Sequence, residues 1–363
     1  MEKEGENIIA RELDAGTQIW ARARAERRPI HGSIELTRRC NVDCPYCYVR
    51  FAHDTRPEDE LSKEELFSIF DQIVDEGCLT LTFTGGEPLL REDFQSIYLY
   101  ALRKGLLVII FTNGTLIDRE MANLFARYPP FHIDITIFGA TEETYERVSG
   151  VRGTFKQCRQ AISRLAERDI PFGLKSVITT LNQNEIGEMK SWAKEMGQGF
   201  RFDALICSQL NGDQSGTKYR LSPEDIVKLD NLDPGKWQEW LDYACREHTP
   251  RNSDHLYSCG GGISSFHISS SGELGLCVLD TNYRYDLIKG SFHEGWHSFI
   301  PRVRDVRIEK KRECDNCRLR SICTICPAWA TIETGSPENT VNFICQIAHL
   351  RDILLKESRG VNK

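Results

Sequence analysis

Cys40, Cys44 and Cys47 stand together in TRRCNVDCPYCYVR at a C-x3-C-x2-C spacing. Three thiolates in one loop can hold three irons of a [4Fe–4S] cube and leave the fourth iron open to a chelating ligand. A structural zinc site asks for four closed ligands, and this loop offers three. A second set fills the last third of the chain. CDNCRLRSICTIC carries Cys314, Cys317, Cys323 and Cys326, with Cys259 and Cys277 upstream and Cys345 downstream. Its spacing alone admits a disulfide knot, a zinc knuckle or part of an iron–sulfur site. Disulfide frameworks belong to small secreted domains, whereas clustered cysteines in a chain of this size more often bind metal. The remaining Cys78, Cys158, Cys207 and Cys245 read first as small buried hydrophobes.

These groups need elements to position them. The 363 residues are 40% apolar and 27% charged, an ordinary globular composition for two domains or one barrel with an appendage. The start, MEKEGENIIARELDAG, has no apolar h-region, and no apolar run approaches the ~18 residues of a membrane span. A soluble, cytoplasmic protein is expected. The net charge of −7 points to no nucleic-acid surface, so neither nucleic acid nor membrane is an expected partner.

Short β-rich runs appear at SIELT (33–37), LTLTFT (79–84), LVIIFT (107–112), HIDITIF (132–138), GLKSVIT (173–179) and FRFDALI (200–206), with helical patterns between most of them. The clearest helix lies in 62–77. Ser62 and Glu65 can form a capping box, Leu66, Phe67, Ile69, Phe70, Ile73 and Val74 keep a helical period, and Gly77 can end it. Two more helices are expected in 153–169 and 184–197. Alternation of this kind implies an α/β fold with a parallel sheet, open or closed into a partial barrel. The expected division is an N-terminal helical extension (1–30), a (β/α)6 core (31–207), a linker with bridging helices (208–250) and a cysteine-rich domain with a C-terminal helix (251–363). In a parallel barrel, chemistry sits at the C-terminal ends of the strands. The cysteine loop follows strand 1, TGGEP (84–88) strand 2 and TNG (112–114) strand 3, with Thr136 in strand 4 and Lys175 in strand 5.

The C-x3-C-x2-C triplet with Tyr46 before its last cysteine, followed by GGEP after the next strand, resembles the radical S-adenosylmethionine (SAM) superfamily over roughly residues 30–207. The resemblance implies a (β/α)6 partial TIM barrel. It implies that Cys40, Cys44 and Cys47 ligate a [4Fe–4S] cluster whose open iron binds the amino and carboxylate groups of SAM. Tyr46 matches the aromatic near the adenine, and Gly85, Gly86 and Glu87 match the motif that meets the SAM amino group. Thr136 stands where relatives often carry a serine that bonds the ribose. Lys175 is a candidate partner of the SAM carboxylate or a solvated strand-end lysine. Asn113 is a candidate cofactor contact or simply the turn residue of an Asn-Gly pair. The implied reaction is one-electron cleavage of SAM to methionine and a 5′-deoxyadenosyl radical, which takes a hydrogen atom from an unactivated substrate carbon.

Behind the barrel, Cys259-x12-Gly272-x4-Cys277 and the downstream cysteines resemble the SPASM domain, which carries auxiliary iron–sulfur clusters, over roughly residues 250–350. The resemblance gives Cys314, Cys317, Cys323 and Cys345 to one cluster and Cys259, Cys277 and Cys326 to the other. Two features depart from it. Relatives usually have x3 between the last two cysteines of the quartet, and some carry another cysteine soon after the first. The fourth ligand of the second cluster is therefore open: Cys245, Cys207, an oxygen or nitrogen side chain, or none. A zinc tetrad of Cys314, Cys317, Cys323 and Cys326 is conceivable, but the glycine-centred upstream half and the barrel in front argue against it.

Enzymes of this kind commonly modify ribosomally made peptides by crosslinking, oxidation or epimerisation. Others act on small molecules in cofactor or natural-product biosynthesis. Peptide maturation is the expected function, with the small-molecule enzyme as its alternative and a non-enzymatic iron–sulfur or zinc protein as a distant third. About thirty residues precede the first strand, and a leader-binding domain needs at least ~50 for a core of its own. A separate leader-binding protein or the barrel itself is therefore expected to hold a leader. An electron donor such as flavodoxin or ferredoxin is also implied. Cys207, just past strand 6, is a candidate hydrogen-atom donor, with a packed cysteine or a cluster ligand as its duller roles.

Overall fold

The computed structural model describes residues 18–245, 254–309 and 312–359. Six parallel strands run in spatial order β6-β5-β4-β3-β2-β1: β1 (His31–Thr37), β2 (Thr80–Gly85), β3 (Leu107–Thr112), β4 (His132–Thr136), β5 (Phe172–Val177) and β6 (Phe200–Asp203). Parallel neighbours need crossover connections, and helices supply them. These are α1 (Lys63–Asp75), α2 (Phe94–Arg103), α3 (Arg119–Arg127), α4 (Glu142–Ser149), α5 (Thr154–Ala166) and α6 (Ile186–Glu195). The result is a (β/α)6 partial TIM barrel.

The core follows from the periodicity. Ile34, Leu81, Phe83, Val108, Ile110, Ile133 and Ile135 are fully buried on the strands, against Leu66, Phe70 and Ile73 of α1. Each such side chain contributes about 1.5–3 kcal/mol by leaving water. The Ser62–Glu65 capping box forms in both directions: the Glu65 N–H donates to Ser62 Oγ at 3.2 Å and the Ser62 N–H donates to Glu65 Oε2 at 2.8 Å. Strand β6 stops at Asp203, short of the expected 206, because Asp203 Oδ1 accepts the Leu205 N–H and turns the chain. Strand β4 likewise stops at Thr136. Helices α3 and α4 had readable starts, Asp118 and Thr141, whose side chains accept the N–H groups of Met121 and Thr144.

The sheet does not end at β1. Strand β7 (Ser265–Ile268) pairs with β1 in parallel, and β8 (Glu273–Gly275) and β9 (Tyr285–Asp286) continue it antiparallel into a nine-stranded sheet. The cysteine-rich region thus begins as an extension of the barrel sheet. The segment after β6 is not a free tether either. The Leu210 N–H donates to the Tyr48 carbonyl, and Gln209 Oε1 accepts the Phe51 N–H, both at 2.9 Å, so this segment lies on the cysteine loop.

Beyond it, α7 (Pro223–Leu232), α8 (Pro234–Cys245), α9 (Pro327–Thr334) and α10 (Asn342–Ser358) follow. A buried pair joins α10 to α7: Arg351 Nη2 lies 2.6 Å from Asp230 Oδ2, and Lys236 Nζ sits 2.8 Å from the other oxygen. Of the expected N-terminal extension, residues 18–26 are helical, and residues 1–17 lie outside the described residues. No helix among the described residues is long and apolar enough to cross a membrane.

Candidate active site

The C-terminal ends of the barrel strands open into one cavity of about 590 Å³. Cys40, Cys44 and Cys47 line one wall with Tyr46. Gly85 and Gly86 come from the end of β2, Asn113 from the end of β3, Thr136 from β4 and Lys175 from β5. Cys207 closes the far side beyond β6.

Backbone contacts hold the cysteine loop. The Cys47 N–H donates to the Cys44 carbonyl at 3.1 Å, and the Asp43 N–H to Ser149 at 2.7 Å. Burial pushes the Cys40 thiol up to about 12 and the Cys47 thiol up to about 11, and raises Cys44 well above its ordinary value. As free thiols these groups are inert, and a bound cation is what makes them thiolates. Their spacing tests the kind of cation. Sulfurs around one zinc lie ~3.8 Å apart, as Zn–S bonds of ≈ 2.3 Å require. Among the described residues, no group of three or more potential ligands that includes a cysteine has its ligand atoms all within 4.8 Å. Among the described residues, no cysteine set is drawn together as tightly as a single zinc would require. No described cysteine is in a disulfide.

The glycines of GGEP serve the loop as much as the cavity. The Gly86 N–H donates to the Thr37 carbonyl at 2.8 Å and the Glu87 N–H to the Arg39 carbonyl at 2.9 Å. A Cβ on Gly85, whose φ is +130°, would overlap the Thr37 carbonyl oxygen, and one on Gly86 would overlap Arg39. The exit of β2 is thereby packed against the backbone that carries Cys40.

Glu87 follows Gly86 at the exit of β2. Its side chain is fully buried and does not line the cavity. It accepts the Asn113 N–H at 2.8 Å, the Thr112 hydroxyl at 2.8 Å and the Leu89 N–H at 3.1 Å. Those donors turn the carboxylate inward, and burial lifts it to about 7. Asn113 is committed as well: Nδ2 donates to Asn41 in the cysteine loop, and Oδ1 accepts from Thr115.

Lys175 is half-buried, with Nζ 3.1 Å from the centre of the Phe111 ring. Desolvation pushes its ammonium down to about 7, against the pull of Asp134. Phe111, Arg201 and His53 are among the cavity residues that escaped the sequence reading. His53 Nε2 lies 3.7 Å from Cys47 Sγ. No short motif marks Phe111 and Arg201, which the parallel sheet brings to the rim, whereas His53 follows the cysteine loop itself.

The last-third cysteines gather in two places. Cys314, Cys317, Cys323, Cys326 and Cys345 line one cavity, and the Cys323 thiol is raised by burial and then by Cys314, Cys345 and Cys317. Cys326 caps α9, its sulfur accepting the Trp329 N–H at 3.5 Å, and it faces Cys259 and Cys277 electrostatically. Cys207 lines the barrel cavity and packs with Cys326 against the cluster that holds Trp329. Cys78 and Cys158 are simply buried, and the side chain of Cys245 lies outside the described residues.

Asp280 was not anticipated. It is fully buried three residues after Cys277 and faces Cys277 and Cys326. Its Oδ1 accepts the Asn282 N–H, while its Oδ2 makes no hydrogen bond, although the buried Tyr257 hydroxyl is near enough to act on its charge. The C-x2-D spacing was the available signal.

Residues 34–194 match the family described as the Radical SAM superfamily. The chain is 28% identical over 331 residues to the AdoMet-dependent heme synthase of Methanosarcina barkeri, covering 83% of this chain and 92% of that protein. It is 26% identical over 321 residues to the antilisterial bacteriocin subtilosin biosynthesis protein AlbA of Bacillus subtilis, covering 81% and 68%. Among solved structures, anSMEcpe with bound AdoMet shares the fold at a TM-score of 0.69 and 19% identity, covering 92% of this chain and 95% of that one. Residues 34–194 of this chain are therefore a radical SAM domain, whose cofactors are SAM and a [4Fe–4S] cluster, and the clustered cysteines of the last third fit auxiliary clusters.

Proposed function

We propose that this enzyme matures a ribosomally synthesised peptide in the cytoplasm, forming a crosslink, an oxidised side chain or an inverted centre. The observation that carries the reading is Cys207, which lines the SAM-side cavity and packs in the same cluster as Cys326. Such a junction suits a substrate that lies in the cavity and passes an electron onward, or takes a hydrogen atom back. Similarity to AlbA, a bacteriocin biosynthesis protein, supports the peptide class.

In this reading Cys40, Cys44 and Cys47 hold the cluster that binds SAM. Bound SAM and the reduced cluster supply a 5′-deoxyadenosyl radical, which abstracts a hydrogen atom from the substrate. Lys175 pairs with the SAM carboxylate, the Thr136 hydroxyl meets the ribose, and Tyr46 packs beside the adenine. Gly85 and Gly86 present backbone to the SAM amino group, while Glu87 and Asn113 fix the loops around it. Cys314, Cys317, Cys323 and Cys345 hold one auxiliary cluster. Cys259, Cys277 and Cys326 hold the other, with the unpartnered Oδ2 of Asp280 as the fourth ligand. A small donor such as flavodoxin or ferredoxin supplies the electron, and a separate protein or the barrel holds a leader.

The heme synthase similarity, which spans most of both chains, favours a second reading: radical oxidation or rearrangement of a small molecule in cofactor biosynthesis. One anaerobic experiment tests both. Iron-loaded enzyme, reductant and SAM are expected to release 5′-deoxyadenosine, and none from loaded enzyme would overturn the assignment. Deuterium passing from a labelled precursor peptide encoded beside this chain into 5′-deoxyadenosine, with a mass change in the peptide, supports maturation. Consumption of an iron tetrapyrrole with the peptide untouched moves the assignment to the second reading.

A further inference from the structure

A second set of metal-binding side chains lies at the opposite end of the barrel. Glu76 caps the C-terminal end of α1, four residues before β2 begins, so it sits at the strand N-termini, away from the cavity. Against it packs a helical segment over 292–304. Phe292 and Trp296 of this segment are buried one turn apart, and the Phe292 N–H donates to Gln72 of α1 at 2.7 Å. The Trp296 indole N–H donates to the Arg27 carbonyl at 2.9 Å. This inward pair leaves His293 and His297, again one turn apart, on the side that meets Glu76.

We propose that Glu76, His293 and His297 form a surface site for a divalent transition-metal ion, zinc by the chemistry of its donors. His293 Nδ1 lies 2.5 Å from Glu76 Oε1, and His297 Nε2 lies 2.8 Å from Oε2. The two rings stand 4.5 Å apart, and one donor atom from each of the three residues falls within 4.8 Å of the others. Two imidazoles at i and i+4 with a carboxylate is a set that zinc takes, with water in the remaining position. Calcium and magnesium want oxygen ligands, and this set offers too few. The histidine side chains are 71% and 49% exposed, so an ion has direct access, while Glu76 is held by the end of its helix. Bound metal would clamp the 292–304 segment to the barrel, a role separate from the radical chemistry.

The test uses the iron-loaded enzyme and zinc alone. After equilibrium dialysis at micromolar free zinc, the parent is expected to hold one more zinc per chain than the H293A/H297A double variant, with equal iron and sulfide in both. Glu76→Gln is expected to weaken zinc binding by roughly tenfold or more. Zinc should also raise the melting midpoint of the parent but not of the double variant. Equal zinc retention by parent and variant would overturn the site and leave a hydrogen-bonded His–Glu–His triad. The exposed positions of both histidines make misfolding an improbable confusion, and equal iron content checks it directly.

Discussion

The Asn113 N–H donates to the Glu87 carboxylate at 2.8 Å, and through it the loops after β2 and β3 become one piece. Asn113 in turn reaches Asn41 in the cysteine loop. Glu87 therefore organises the rim from beneath, with its carboxylate facing backbone donors instead of the cavity.

Glu87→Gln keeps the shape but places an amide NH2 toward donors that need an acceptor. A buried hydrogen bond to a charged group is worth about 1.5–3 kcal/mol. SAM binding is expected to weaken roughly tenfold or more in the variant, with the iron content of the cysteine loop retained. A calorimetric titration with unchanged affinity would remove Glu87 from the binding apparatus.

Lys175 gives a pH dependence. Its ammonium is pushed down to about 7 by desolvation, so in the proposed pairing with the SAM carboxylate a proton must be taken up above that pH. SAM affinity is expected to be flat below about pH 7 and to weaken by up to about tenfold per unit above it. Lys175→Met should bind more weakly at low pH and lose the slope. For stability the sign is the opposite. The unfolded chain holds the proton up to about 10.4, so this group's contribution rises with pH between about 7 and 10. Identical SAM profiles in parent and variant would count against the pairing.

Asp280→Ala should alter the electron paramagnetic resonance signal of one auxiliary cluster and lower its iron retention, leaving the SAM-binding cluster intact. Asp280→Cys should restore iron and shift that cluster's potential, because thiolate replaces carboxylate. An unchanged spectrum in both variants would reduce Asp280 to a buried partner of Arg284, its strongest electrostatic counterpart.

Glu333 accepts from Arg220, from the Trp329 indole N–H at 2.6 Å and from the Ser208 N–H at 3.2 Å. It ties the segment after β6 to α9. Glu333→Ala strands a mostly buried guanidinium and two donors, at a cost of about 2–4 kcal/mol. A lower denaturant midpoint is expected, with partial recovery in Glu333→Gln, which keeps one acceptor oxygen. An unaltered midpoint in the alanine variant would show that this contact does not hold the two regions together.

Much of this molecule was legible along the chain. The strand periodicity and the Ser62–Glu65 box reported the barrel, because local patterning fixes which faces leave water. Cys40, Cys44 and Cys47 could be singled out as a ligand set and do line one cavity, because residues in one loop need no fold to bring them close. What only tertiary structure decided involves residues distant in sequence. Glu87 turned inward because its donors come from β3, twenty-five and twenty-six residues away. Strand β7 joined β1 by backbone hydrogen bonds, which leave little trace in side-chain sequence. Asp280 and the Glu76–His293–His297 set meet their neighbours only through packing of the last third against the barrel. A ligand's type is written in the sequence, but its direction is set by whatever the fold places opposite it.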